Sequence, residues 1–85
     1  MKFPILKSNQ VAVIKADGAT GTILNLKGEI YKNGSPENPY IIFESLLLAH
    51  EYVGNESRLN DKLEFVIYDN NQNVLDFIKS IHWNK

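Results

Sequence analysis

The feature that most constrains this chain is its punctuation. Turn-forming residues recur at short intervals: Asp17-Gly18 through Gly21, Lys27-Gly28, Asn33-Gly34 with Pro36 and Pro39 behind it, and Asp69-Asn70-Asn71-Gln72-Asn73. Glycine takes positive φ without steric cost, proline leaves a ladder without a donor, and Asn and Asp bond their own backbone in turns. What remains between these marks is a set of short apolar runs rich in β-branched and aromatic residues, which is strand material. Only the stretch opening at Glu44-Ser45 reads as a helix in preference to a strand.

The runs read as strands are Val11-Ala12-Val13-Ile14, Thr22–Leu26, Glu29–Lys32, Tyr40–Phe43, Leu63–Tyr68 and Val74–Ile78. The run at 40–43 is apolar on both faces, as expected of an interior strand covered by a helix. The last run also fits a helical stripe through Ile81, but the short polar cluster before it favours a hairpin. In the helix, Ser45 is the expected N-cap, with Glu44 adding a charge near the positive helix end. Leu48 and Tyr52, and Ala49 and Val53, stand one turn apart beside Leu46, while His50 and Glu51 face outward. Gly54 is the natural stop; the alternative is continuation to Leu59.

The fold expected is therefore α+β, a single domain over 1–85. It has a small, mostly antiparallel sheet of four to six short strands with one helix packed on one face. The order is β-β-β-β-α-β-β, with Tyr40–Phe43 and Leu63–Tyr68 parallel if the helix bridges them as a right-handed crossover. The expected core is Val11, Val13, Ile23, Ile30, Ile41, Phe43, Leu48, Tyr52, Phe65, Ile67 and Leu75. An 85-residue chain holds one such core and has a narrow margin of stability.

Composition removes several classes of function. Nine Lys and Arg against ten Asp and Glu give a formal charge of −1, which offers no general attraction to nucleic acid or an anionic membrane. The chain has no cysteine, so disulfide scaffolds, thiolate zinc sites and cysteine nucleophiles are excluded. No run is long and apolar enough to span a bilayer, and residues 1–10 lack the apolar stretch of a secretory signal, so the default location is cytoplasmic.

The motifs that suggest chemistry are incomplete. Asp69–Asn73 spells the start of a calcium loop, but Val74 and Ser80 stand where the loop needs its glycine and its closing glutamate, so a plain turn is expected. Asp17–Gly21 has the glycines of a phosphate loop without the helix behind it, and reads as a connection between strands. His50 and His82 are far apart in sequence with no ligand or nucleophile at a telling spacing. The acids form no recognisable pair. No catalytic residue, metal site or cofactor is expected.

The reading that follows is a non-enzymatic protein-interaction module, of which an immunity-type or antitoxin-type inhibitor is one form, although the acidity common to such inhibitors is missing. The candidate contacts are Tyr31, Asn33 and Tyr40 around the 33–39 loop, an exposed strand edge, and Trp83 near the C-terminal end. The alternative is a small-ligand or single-stranded nucleic-acid binder stacking on Tyr31, Tyr40 and Tyr68, which requires those rings to share a face near Lys27, Lys32 or Arg58. The expected partner is another protein, with nucleic acid and membrane disfavoured and a monomer preferred to a homodimer. Lys79 would guard the last edge against self-pairing.

Overall fold

A computed structural model describes residues 3–32 and 38–80. Four strands and one helix follow one another: β1 (Val11–Asp17), β2 (Ile41–Phe43), α1 (Leu46–Leu59), β3 (Leu63–Tyr68) and β4 (Val74–Ile78). The strands form one antiparallel sheet in the order β2-β1-β3-β4, with α1 on one face. The class is α+β. Because β2 and β3 each run antiparallel to β1, they point the same way, and α1 connects them past the strand between. The parallel direction expected from the sequence is present, but β1 separates the two strands.

β1 becomes the interior strand for a chemical reason. It is the longest strand, and Val11 through Lys15 are all buried, so a neighbour on each side satisfies its backbone while both faces are covered. Register fixes which side chains meet the helix. Val13 lies between Ile41 and Ile67, and Lys15 lies beside Phe65, so Val11, Val13, Phe65 and Ile67 share the face that packs on Ala49 and Val53. Phe43, Tyr52, Leu63 and Ile78 close the rim of this core, with Tyr52 set edge-on to Phe65.

Ser45 caps the helix as expected, its Oγ accepting from the Leu48 N–H at 3.2 Å. Gly54 does not end it. The helix continues to Leu59, with Asn60 as the C-cap and its N–H donating to the Glu56 carbonyl. The extra turn is held by what it buries, since Ser57 lies inside and Glu56 reaches Lys15. Burial here outweighs the cost of a mid-helix glycine, about 1 kcal/mol against alanine.

Two expected strands are absent. Residues 22–32 make only isolated bridges, Ala16 with Ile23 and Leu24 with Ile30. Ile30, placed in the core by its alternation, is 64% exposed. Leu48 and Leu75 are also outside the core: the inner helix stripe runs through Ala49, Val53 and Ser57, and Leu75 projects from the last strand. Ile23 and Ile41 are half-buried. Ala12, Ile14 and Leu24 take their place among the buried side chains.

Candidate interaction surface

β4 is an outer strand, and its sequence Val-Leu-Asp-Phe-Ile carries apolar side chains on both faces. One face alone can be covered by the helix, so an edge strand of this composition must leave apolar side chains in water. Val74, Leu75 and Phe77 are 58%, 45% and 53% exposed. The register places Phe77 beside Val66 and Val74 beside Tyr68, on the face away from the helix. Between Ile67 and Tyr68 the pairing slips by one residue, so Leu75 has no partner across the ladder. Such a bulge twists the strand and interrupts its outer row of backbone groups.

Asp76 points to the helix side beside Ile67, and its Oδ2 lies 3.3 Å from Nε2 of His50 on α1. Both side chains are nearly half exposed, so the contact ties the helix to the edge strand at little energy. The opposite edge is managed differently. β2 is only three residues long and follows Pro39, which is fully buried. A short strand behind a proline offers little to a second chain.

The turn before β4 is closed by the Asp69 side chain. Oδ1 of Asp69 accepts from the N–H groups of Asn71 and Asn73 at 2.8 and 2.9 Å, and Oδ2 accepts from the Asn73 amide at 3.3 Å. The Asn73 N–H leads the effects that hold this carboxyl below its usual range. Gln72 takes φ 63°, a left-handed conformation usually left to glycine. The hairpin expected from the sequence is present, and its acidic side chain serves the turn.

Of the sequence-derived contact residues, Tyr31 and Tyr40 fall within the described part of the chain. Tyr40 is half-buried and belongs to an edge-to-face cluster with Phe3 and Tyr68, at ring-centroid distances of 5.1, 5.6 and 6.0 Å. Burial, then the neighbouring Tyr68, raises the Tyr40 hydroxyl above its usual range. These rings satisfy one another edge to face, which leaves little of a flat stacking platform. Tyr31 stands apart in the 22–32 segment, its N–H donating to the Ile23 carbonyl at 2.8 Å. Arg58 is on the helix, on the other side of the sheet from the Tyr40–Tyr68 cluster. Asn33 and Trp83 lie outside the described residues, as does His82.

One polar group under the helix escaped the sequence reading altogether. Lys15 is 6% exposed, and its Nζ lies 3.4 Å from Oε1 of Glu56. The Tyr52 hydroxyl donates to the same oxygen at 3.4 Å. Burial first, then the carboxylate charge and the hydrogen bond to it, push the Tyr52 hydroxyl up to about 12. The lysine looked like an ordinary surface residue because alternation places it on the buried face only once the strand is extended past Ile14. The outward apolar strip of β4 follows from a strand that is apolar on both faces and lies at the sheet edge. Among the described residues no group of three or more His, Asp and Glu side chains is placed to hold a metal ion, and no helix is long and apolar enough to cross a membrane. Comparison with protein-family models, curated proteins and solved structures found no match.

Proposed function

We propose that this chain is a non-enzymatic protein-interaction module that contacts its partner through the β4 margin. The observation that carries the reading is the run of exposed Val74, Leu75 and Phe77 within four residues of an outer strand. Contiguous exposed apolar side chains mark contact sites more often than isolated ones do. The bulge at Leu75 interrupts the backbone edge, so side-chain burial carries more of this contact than a full ladder of strand addition. A symmetric self-pairing centred on Asp76 would set two carboxylates opposite each other, which favours a different protein over a second copy. Neutralising inhibitors of the immunity or antitoxin type belong to this class.

The test is affinity capture from source-cell lysate, followed by hydrogen exchange on the purified complex. Wild type should retain a partner that protects amides over 74–78, and Val74→Asp with Phe77→Asp should release it while the isolated fold stays intact. Capture of nothing at micromolar protein, unchanged binding by the double variant, or protection confined to another surface would each refute the reading.

A further inference from the structure

A cavity of about 340 Å³ lies at the other end of the sheet from the Phe3–Tyr40–Tyr68 cluster, where the end of β1, the 22–32 segment and the start of β3 converge. Its volume is at the small end of the range of roughly 300–1,000 Å³ seen for small-molecule sites. The walls are held by two backbone hydrogen bonds and one to a side-chain oxygen. Gly18 N–H donates to the Lys62 carbonyl at 2.7 Å, Leu24 N–H to the Lys15 carbonyl at 2.9 Å, and Asn25 Oδ1 accepts from the N–H of Glu29 at 3.0 Å.

The lining residues combine apolar Leu24, Ile30 and Leu63 with acidic Asp17 and Glu29 and basic Lys62. Leu24 is buried and Leu63 half-buried, whereas Ile30 is mostly uncovered. The charges do not neutralise one another. Among the described residues the contacts between basic and acidic side chains are Lys15–Glu56 and His50–Asp76, so neither Asp17 nor Glu29 reaches Lys62. One Asp17 oxygen is engaged by the Ala19 N–H at 2.8 Å, which leaves the other available. Asn60 Oδ1 accepts from the Lys62 N–H at 3.0 Å, so its amide NH₂ is the group free to donate.

Opposite charges that border one small cavity without meeting are suited to being bridged by a ligand that carries both signs. We propose that this cavity binds a free α-amino acid with an aliphatic side chain. Its ammonium is taken by Asp17 and Glu29, its carboxylate by Lys62 and the Asn60 amide, and its side chain covers Ile30 against Leu24 and Leu63. The cavity is open to water, so affinity is modest and depends on both charges acting together.

The experiment is an amide NMR titration of the whole chain with L-leucine, and separately with 3-methylbutylamine and 4-methylpentanoate, which each keep one charge. L-leucine should give saturable shifts at Gly28, Glu29, Lys62 and Leu63, and each half-molecule should bind about tenfold more weakly or worse. Lys62→Met should weaken L-leucine about tenfold and leave the amine unaffected. Phe77→Asp should leave L-leucine binding unchanged, which separates this site from the β4 contact. No saturable shift with L-leucine, or an amine that binds as tightly as L-leucine, would overturn the proposal on wild-type protein alone.

Discussion

Two turns in this molecule are built alike and lead to different structures. In Asn25-Leu26-Lys27-Gly28-Glu29, the Asn25 side-chain oxygen accepts from the N–H groups of residues 27 and 29, and Gly28 N–H donates back to the Asn25 carbonyl. In Asp69-Asn70-Asn71-Gln72-Asn73, the same bonds recur from Asp69 to residues 71 and 73 and from Gln72. The fourth position is left-handed in both, at φ 83° for Gly28 and 63° for Gln72. The glycine turn has the better chemistry, yet its arms make isolated bridges, while the glutamine turn joins β3 to β4. The difference is burial. Phe65 and Ile67 lie fully inside under α1, whereas of the arms around the first turn only Leu24 is buried. A turn permits a hairpin, and the apolar surface its arms bury decides whether the arms become sheet.

The largest effect expected from this comparison is the contrast between one apolar side chain from each region. Phe65→Ala should lower stability by about 3–5 kcal/mol in urea unfolding, because it empties the centre of the helix–sheet core. Ile30→Ala should stay within about 0.5 kcal/mol, since that side chain lies mostly in water. Comparable losses at the two sites would mean that the 22–32 segment is part of the core.

Lys15 sharpens the comparison because it lies where the two regions meet, beside Phe65 and with its carbonyl bonded to the Leu24 N–H. Removing one partner of a buried pair strands the other charge, at about 3–5 kcal/mol when burial is complete. Glu56 is a quarter exposed, so Glu56→Gln should cost roughly 2 kcal/mol. Replacing the pair together, by Lys15→Met with Glu56→Leu, should recover most of that loss. A double variant as unstable as Glu56→Gln would show that the charges themselves stabilise the interface.

The smallest effects belong to the turns. Gly28→Ala should cost about 1 kcal/mol because the new Cβ meets a left-handed backbone, and Gln72→Gly should gain roughly 0.5 kcal/mol. The turns also differ in their response to acid. The Asp69 carboxyl is held below its usual range by the Asn73 N–H, whereas Asn25 carries no charge to lose. A depressed folded-state value means stabilisation that is fully present above the ordinary carboxylate range and lost as pH falls through the lowered one. Chemical shifts at Asn71 and Asn73 should therefore follow Asp69 in acid, and Asp69→Asn should abolish that response.

The sequence made some of this legible and hid the rest for identifiable reasons. Ser45, the β3 and β4 limits and the turn at 69–73 are local matters of capping, alternation and backbone bonding, and a single chain displays them. Local rules leave the end of α1 open between Gly54 and Leu59, and the contact of Glu56 with Lys15 across 41 positions that accompanies the longer helix is in no local rule. The segment at 22–32 satisfies strand propensity without any element to cover it, so propensity alone overstates it. Tyr31, Asn33, Tyr40 and Trp83 stand out in the sequence as aromatic and loop residues. The β4 strip required knowing which strand lies outermost. The cavity beside Lys62 could not be read at all, because its charges come from three separate segments.

Native-state hydrogen exchange on the whole chain compares the two regions most directly, since both contain backbone hydrogen bonds and differ in what covers them. The account predicts that the β3 amides exchange only with global unfolding, whereas Leu24 and Tyr31, though bonded to Lys15 and Ile23, exchange through local opening at far lower free energy. Protection of Leu24 and Tyr31 equal to that of β3 would contradict it, because the better turn would then have built a strand as stable as the buried one.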